Sequence, residues 1–228
     1  MRFMKIFFFV CIGLVLVGCS DYVYEDLMNN IAEVRQFLLE GSNESGRCTL
    51  VCGIRESDYV LNGVATEGQE FGVVSFYLNE IEYNKEYNFR LKTPKEEYMG
   101  YLEKNPYDGS LVADIGKIID YSEYVVAEII IDEKEIGFSL NSISDNFKID
   151  YMEVIKNFSN IYKKELKSIK QNNKFKAELY VKIIEDVTFD GKYYWQVKVI
   201  STLGDSITAL ISVENGNVMA SNINLISK

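Results

Sequence analysis

The stretch Ala177-Glu-Leu-Tyr-Val-Lys-Ile183 alternates apolar side chains with polar or amphipathic ones. This period of two predicts a β-strand with one buried face and one face open to water. Two further strands show the same alternation, with the apolar members Trp195, Val197 and Val199, and then Ile207, Ala209, Ile211 and Val213. Turn residues at Asp190-Gly191 and from Leu203 to Ser206 separate the strands, so the sequence predicts a three-stranded antiparallel meander.

A helix is predicted directly before the meander. Asp150 and Glu153 have the spacing of a capping box, and apolar residues recur at helical spacing as far as about Gln171. The apolar face comprises Tyr151, Val154, Ile155, Phe158, Ile161, Tyr162, Leu166 and Ile169. Because neither a helix nor a sheet buries its apolar face alone, we expect this helix to cover the meander.

The end of this region resembles a PepSY-type domain. The resemblance is carried by Tyr193-Tyr-Trp-Gln-Val-Lys-Val-Ile200, a turn, and the strand from Ile207 to Val218 with Glu214-Asn-Gly-Asn-Val218 at its end. It includes the preceding helix, although the specific residues are those of the last two strands. The resemblance implies an extracytoplasmic, non-enzymatic domain that binds or restrains partner proteins and has no catalytic residues.

The region before this unit is predicted to have a helix followed by strands. A helix is expected from Asp21 to Glu40, because Leu27, Ile31, Val34 and Leu38 fall on one helical stripe. Thr93-Pro-Lys-Glu96 has the pattern of a helix start and predicts a short helix to about Lys104. Strands are predicted at Cys48–Ile54, Tyr59–Leu61, Phe71–Leu78, Tyr87–Lys92, Tyr124–Ile131 and Ile136–Leu140.

The charge distribution indicates a boundary in the polar segment from Asn141 to Asn146. From Cys19 to Asn146 the chain has 10 basic and 25 acidic residues, whereas from Phe147 to Lys228 it has 12 basic and 9 acidic ones. We therefore predict an α+β protein of two small domains, each a helix packed on an antiparallel sheet. The predicted divisions are a signal peptide at residues 1–18, an acidic domain at 19–146 and a helix-plus-meander domain at 147–228.

The amino terminus has the pattern of a secretory signal. Arg2 and Lys5 precede the apolar run Ile6–Val17, which is too short to span a bilayer as a helix. The last two residues of the run and the two that follow it read Leu16-Val17-Gly18-Cys19, which resembles the lipobox of bacterial lipoproteins. The resemblance implies cleavage between Gly18 and Cys19 and a lipid on Cys19 that anchors the protein to the extracytoplasmic face of the cell membrane, or of the outer membrane in a diderm host. An uncleaved anchor and an ordinary signal peptide are the alternatives.

Composition excludes several classes of function. The chain has no histidine, which rules out Ser-His-Asp and Cys-His nucleophiles and histidine-ligated metals. Its net charge of −10 disfavours nucleic-acid binding, and it contains no phosphate-binding glycine motif. No cofactor or metal is expected. Cys48 and Cys52 are expected to be half-buried thiols on a strand, too far apart to pair unless this segment forms a helix or a tight loop.

The candidate partner surface is the water-facing side of the meander, with Tyr180, Tyr194, Gln196 and Lys198. Tyrosines beside polar residues suit a protein- or sugar-binding surface, although tyrosine also commonly pairs across strands. The expected function is non-catalytic binding of a protein or envelope ligand by a membrane-anchored lipoprotein, such as an inhibitor or immunity protein. A cell-wall hydrolase that uses only carboxylates and a structural envelope component are the alternatives.

Overall fold

The structure, a computed structural model, describes residues 22–57, 61–82, 84–172, 174–186 and 191–226 of the chain. The predicted signal peptide with Gly18, and the predicted lipidation site Cys19, lie outside these residues. So do Tyr59 and Val60 of the predicted strand Tyr59–Leu61. Among the described residues, no helix has the length and apolar character needed to cross a membrane.

The described residues form three helices and thirteen strands. The helices are α1 (Tyr22–Met28), α2 (Tyr151–Ile161) and α3 (Lys163–Ile169), and a 3₁₀ turn at Ser144–Asn146 precedes α2. The first seven strands are β1 (Ile31–Asn43), β2 (Gly46–Glu56), β3 (Gly68–Leu78), β4 (Asn88–Lys92), β5 (Glu97–Tyr101), β6 (Glu103–Lys104) and β7 (Leu111–Asp114). The others are β8 (Val125–Ile131), β9 (Lys134–Ser142), β10 (Ala177–Glu185), β11 (Tyr193–Ser201), β12 (Ser206–Ser212) and β13 (Val218–Asn224).

The strands belong to one continuous sheet that curves into a nearly closed, barrel-like form. Its main path runs β13-β12-β11-β10-β1-β2-β3-β7-β6, and a second path leaves β1 through β9, β8, β4 and β5. Strand β1 is the junction, because Ile31–Val34 pairs in parallel with β10 while Leu39 and Glu40 pair with β9. The curved part therefore ends at β5 on one side and at β6 and β7 on the other, and β10–β13 extend from β1 as an open sheet.

Two hydrophobic cores stabilise this arrangement. The first lies between the three helices and the open sheet and includes Phe158, Leu166, Val197 and Trp195. The second fills the inside of the curved sheet and includes, among its fully buried residues, Leu50, Phe76, Leu91, Ile129 and Phe138. Because β1 contributes Val34 to the first core and Leu39 to the second, it is covered on both faces.

The predicted α+β class, with two domains that each have a helix on a sheet, is wrong. The described residues are mostly β, with 52% in strands and 14% in helices, and the sheet is shared by both predicted halves. The helix predicted for Asp21–Glu40 ends at Met28, and the chain from Ile31 is strand. Bulges between Ile31 and Glu33 and between Arg35 and Phe37 interrupt the period of two. In a strand buried on both faces, this spacing of apolar residues imitates a helix.

The helix predicted to start at Thr93 is also wrong. The Thr93 hydroxyl does accept a hydrogen bond from the Glu96 backbone N–H at 3.1 Å, as a helix cap would. However, the Thr93 N–H also donates to the Glu96 carbonyl at 2.9 Å, which closes a tight turn between β4 and β5. The same local hydrogen bonding is compatible with a helix start and with a hairpin, and pairing with β4 selects the hairpin.

The elements predicted near the carboxyl terminus are confirmed. The Asp150 side chain caps α2 by accepting from the Glu153 backbone N–H at 2.8 Å, although the helix is divided at Tyr162. Strands β10, β11 and β12 pair as the predicted meander, and a further strand, β13, extends it. The sequence analysis missed β13 because its mostly exposed residues show no apolar alternation.

Cys48 and Cys52 lie on strand β2, as predicted, but both are fully buried and both are free thiols. Burial raises the pKa of both groups, and that of Cys52 to about 11. The two cysteines therefore act as small apolar residues of the second core and remain protonated at neutral pH.

Candidate binding site

The predicted partner surface lies on the face of the open sheet that is opposite the helices. Register places Tyr180 opposite Lys198 and Lys182 opposite Gln196, and Tyr194 lies two residues before Gln196 on β11. All five side chains are half-exposed, whereas their apolar neighbours along the strands are buried. The predicted alternation therefore holds, and Tyr180, Tyr194, Gln196 and Lys198 share one surface.

A buried carboxylate that the sequence analysis did not identify lies at one end of this surface and joins it to a neighbouring turn. Glu178 is 1% exposed and accepts hydrogen bonds from the backbone N–H groups of Asn62 at 2.8 Å and Gly63 at 3.0 Å. Its other oxygen accepts from the Tyr180 hydroxyl at 2.8 Å. Burial, and then the Glu178 carboxylate, raise the pKa of Tyr180, so this phenol remains a neutral donor. The Asn62-Gly63 turn is thereby tied to the open sheet.

A second buried carboxylate, Glu33 on β1, organises the cations of the same surface. It is 3% exposed and contacts the Arg35 Nε at 2.7 Å and the Lys182 Nζ at 3.1 Å. Burial acts to raise the pKa of Glu33, but Arg35 and Lys182 together outweigh burial and lower it. Glu33 is therefore ionised at neutral pH and holds both cations, of which Lys182 lies 5.9 Å from the centroid of the Tyr180 ring.

Glu33→Gln is expected to lower the free energy of unfolding by about 1–2 kcal/mol at pH 7, since two charge-assisted contacts are weakened. The folded-state pKa of Glu33 lies below the ordinary value of 4.5, so its stabilisation is complete above that pH. It is lost as the pH falls through the folded-state pKa, and the difference between variant and wild type is therefore expected to shrink towards pH 3. Urea unfolding at pH 7 and at pH 3 measures this difference in the free energy of unfolding, with the substitution of the exposed Glu80 by glutamine as control. An equal loss at both pH values would contradict this role.

Tyr194 also borders a cleft of about 590 Å³ at the end of β11 and β12. We call it the aromatic cleft and define it by Phe147, Tyr193, Tyr194 and Met219, with Glu40 and Glu214 at its sides. These residues come from β1, from the segment before α2, from β11 and β13, and from the β12–β13 turn. The cleft therefore exists only when β1 is joined to the open sheet.

The aromatic floor of the cleft is fixed by its contacts. Phe147 packs against Tyr193 with ring centroids 6.3 Å apart and edge-on against Trp195 at 5.7 Å. The Trp195 indole N–H donates to the Ile149 carbonyl at 2.9 Å, and the Tyr193 hydroxyl donates to Glu40 at 2.9 Å. Burial, and then Glu40, raise the pKa of Tyr193, so this hydrogen bond persists at neutral pH.

The two carboxylates of the cleft are each held by a cation. Glu40 lies 3.1 Å from Arg47, which also contacts Glu185 at 2.7 Å and so links β1, β2 and β10. Glu214 lies 2.8 Å from Lys148. The cleft thus combines an aromatic floor fixed by its contacts with charged groups at its sides, an arrangement suited to binding an apolar side chain of a partner with polar contacts around it.

Sequence reasoning found Tyr194 but missed Glu40, Phe147, Tyr193 and Met219. The available signal was the Tyr193-Tyr-Trp195 run, in which alternation sends Tyr193 and Tyr194 to opposite faces. At the end of the strand both tyrosines nevertheless reach the same cleft. No local pattern connects them with Phe147, or with Glu40, which lies 153 positions before Tyr193.

Among the described residues, no group of three or more acidic or cysteine side chains is arranged to hold a metal ion. Comparison of the chain with protein-family models, with curated proteins and with solved structures found no match.

Proposed function

We propose that this protein is a bacterial lipoprotein, anchored on the extracytoplasmic face of a membrane by lipid on Cys19, that binds a partner protein without catalysing a reaction. The observation that carries the proposal is the aromatic cleft. Aromatic residues and methionine are enriched where proteins bind one another. Because Phe147 and Tyr193 are already held in place by Trp195 and Glu40, little ordering cost remains to be met on binding.

The carboxylates of the cleft support binding in preference to hydrolysis. A hydrolase that uses only carboxylates needs two of them on either side of the scissile bond, with one acting as the proton donor. Glu40 is held by Arg47 and Tyr193, and Glu214 is held by Lys148. Each carboxylate therefore already has a charged or polar partner beside the cleft, which favours recognition of a partner protein.

A lipid on Cys19 would make weak binding effective. Helix α1 begins at Tyr22, shortly after Cys19, and packs in the first core through Val23 and Leu27. The folded part would therefore lie close to the bilayer, where a partner in the same membrane or periplasmic layer meets it at a high effective concentration. The suspected role of PepSY-type domains in restraining partner proteins is consistent with this function.

Photo-crosslinking on intact cells tests the proposal. The photoreactive amino acid p-benzoylphenylalanine replaces Tyr194 in the full chain, and in a matched control it replaces Tyr107, which is 96% exposed and outside the aromatic cleft. We expect one protein to be captured from position 194 and not from position 107. Tyr194→Ala is then expected to weaken binding of that purified protein by about tenfold or more, as for an interface anchor.

The anchor is tested in the same cells. A palmitate analogue is expected to label the wild type and not Cys19→Ala, and capture from position 194 is expected to fall in the Cys19→Ala background. Absence of label on the wild type would contradict the lipid anchor. The same captured proteins at positions 194 and 107, or none at position 194, would contradict the aromatic cleft as the binding site.

A further inference from the structure

The curved sheet has an opening between strands β5 and β7. Strand β6 continues from β5 and pairs with β7 only at Glu103–Val112 and Lys104–Leu111. Beyond that point β5 pairs with β4 alone among the described strands, and β7 pairs with β3. The two strands therefore diverge from an apex at Leu102, and they enclose a cleft of about 810 Å³. We call it the wedge and define it by Glu97–Tyr101, Glu103 and Val112–Ile115.

Both walls of the wedge present backbone groups that point towards the opening. Hydrogen bonds from the Thr93 N–H to Glu96 and from the Leu102 N–H to Tyr87 set the alternation of the β4–β5 ladder. In this alternation Tyr98 and Gly100 bond to β4, whereas the N–H and C=O groups of Glu97, Met99 and Tyr101 point away from it. One long edge of β5 is therefore available to another strand.

On the opposite wall, strand β7 also turns backbone groups towards the opening. The Ile115 N–H donates to Gly72 at 2.7 Å, which sets the alternation of the β3–β7 ladder and turns the backbone of Val112 and Asp114 away from β3. Val112 pairs with Glu103 of β6, but Asp114 has no strand partner on that side among the described residues. Continuing the β6–β7 register would place Tyr101 opposite Asp114, yet the strands have separated there.

The wedge is acidic. Its twelve lining residues, all in the described part of the chain, include Glu97, Glu103 and Asp114 and no lysine or arginine. Asp114 contacts Arg55, but Arg90, the cation beside Glu97, is shared with Glu128 and Glu135. Lys117, whose Nζ lies 4.9 Å from the centroid of the Tyr98 ring, is paired with Glu96 at 2.6 Å. Because each of these cations is already paired with carboxylates, a negative potential remains on the β5 side of the opening.

The lining also has apolar positions suited to the side chains of an added strand. Met99 is 63% exposed and Tyr101 is 74% exposed, and both stand on the open edge of β5. Phe89 lies beneath β5, where a Cβ at Gly100 would be 2.9 Å from its ring. The glycine lets the strand lie directly on that ring, so the wedge has an apolar floor between two polar edges.

We propose that the wedge is a second binding site, which takes an extended segment of a partner protein as an added β-strand with lysine or arginine side chains. The segment would pair with the outward N–H and C=O groups of Glu97, Met99 and Tyr101. Its basic side chains would lie against Glu97, Glu103 and Asp114, and its apolar ones against the floor near Phe89. Strand addition of this kind derives affinity from backbone hydrogen bonds and specificity from alternate side chains. This site is separate from the aromatic cleft and does not depend on the lipid anchor.

The test uses a phage-displayed library of random twelve-residue peptides, selected on the immobilised full chain in mild detergent. We expect the enriched peptides to carry lysine or arginine among alternating apolar residues. A synthetic copy of the most enriched peptide is then titrated by fluorescence polarisation, together with two versions that are N-methylated at alternate residues, one for each edge of the strand. N-methylation removes the N–H donors of one edge, so the version methylated on the edge that pairs with β5 is expected not to bind.

Met99→Pro and Met99→Ala form the decisive pair of variants. Proline removes the outward N–H of residue 99 without disturbing a hydrogen bond to β4, and it is tolerated on an edge strand. Because one hydrogen bond is lost and its neighbours are misplaced, we expect Met99→Pro to weaken the peptide by about tenfold. Met99→Ala keeps the N–H and is expected to change the affinity by about threefold at most, within the range of one exposed side chain. Circular dichroism confirms that both variants fold.

Several results would overturn the proposal. These are a selection that enriches nothing, enriched peptides that are acidic, equal binding by both N-methylated peptides, and unchanged binding by Met99→Pro. A wild-type dimer in light scattering that Met99→Pro dissociates would show that the occupant is a second copy of this chain, which would also overturn it. Tyr194→Ala is the control for the other site and is expected to leave peptide binding unchanged.

Discussion

Trp195→Ala is expected to lower the free energy of unfolding by about 3–5 kcal/mol, the range for removal of a large aromatic side chain from a core. Trp195 is 2% exposed and lies in the first core, where it packs edge-on against Phe147. Truncation would leave a cavity and would also leave the Ile149 carbonyl without its indole donor. Because this is the only tryptophan, unfolding in urea should be followed by far-ultraviolet circular dichroism instead of fluorescence.

Trp195→Phe separates the two contributions. Phenylalanine keeps most of the ring contact with Phe147 but cannot donate to Ile149, so an intermediate loss of about 1–3 kcal/mol is expected. Trp195→Ala should also loosen Phe147 and thereby weaken binding in the aromatic cleft. A loss below about 1 kcal/mol for Trp195→Ala, the range of ordinary surface changes, would show that the described packing is incorrect.

Gly53→Ala is expected to lower the free energy of unfolding by about 3 kcal/mol, at the upper end for overpacking. The added Cβ would lie 1.9 Å from the Val34 carbonyl oxygen and 3.0 Å from the Arg35 Cα. Both contacts are with the backbone of β1, next to the bulge between Arg35 and Phe37, so no side chain can move to relieve them. Residue 53 must therefore be glycine for β2 to follow the bulged course of β1.

Gly137→Ala is the matched control. It is also a glycine on a strand of the same sheet, but the nearest heavy atom to its added Cβ is the Glu128 Cγ at 3.8 Å. We expect it to be neutral or to stabilise by about 0.5 kcal/mol, because alanine restricts the unfolded chain. Similar effects of the two substitutions in urea unfolding would mean that β1 and β2 do not approach as described.

The strands that were predicted correctly are those whose pattern of apolar residues can be recognised within the strand itself. In β10, β11 and β12 one face is buried under the helices and the other is open, so the apolar pattern keeps its period of two. The Asp150 cap acts over three residues, and its prediction holds for the same reason. Tyr180, Tyr194, Gln196 and Lys198 were placed on one face by alternation alone.

The errors lie where distant segments decide the structure. Strand β1 is covered by one core through Val34 and by another through Leu39, and its bulges disguise the period of a strand. At Thr93 the local hydrogen bonds fit both a helix and a turn, and the choice depends on pairing with β4. Neither the strand at β1 nor the turn at Thr93 can be predicted from the neighbouring residues alone.

The sequence by itself determined the helix-covered meander, its buried and open faces, and the absence of histidine chemistry, because these depend on residue type and on short-range spacing. Only the tertiary structure decided that β1 joins β10 to the curved sheet, that Glu40 and Phe147 meet Tyr193 in one cleft, and that β5 and β7 separate beyond Leu102. Those features depend on which strands pair across long stretches of chain. Pairing is governed by the burial of both faces of the sheet together and not by any local pattern.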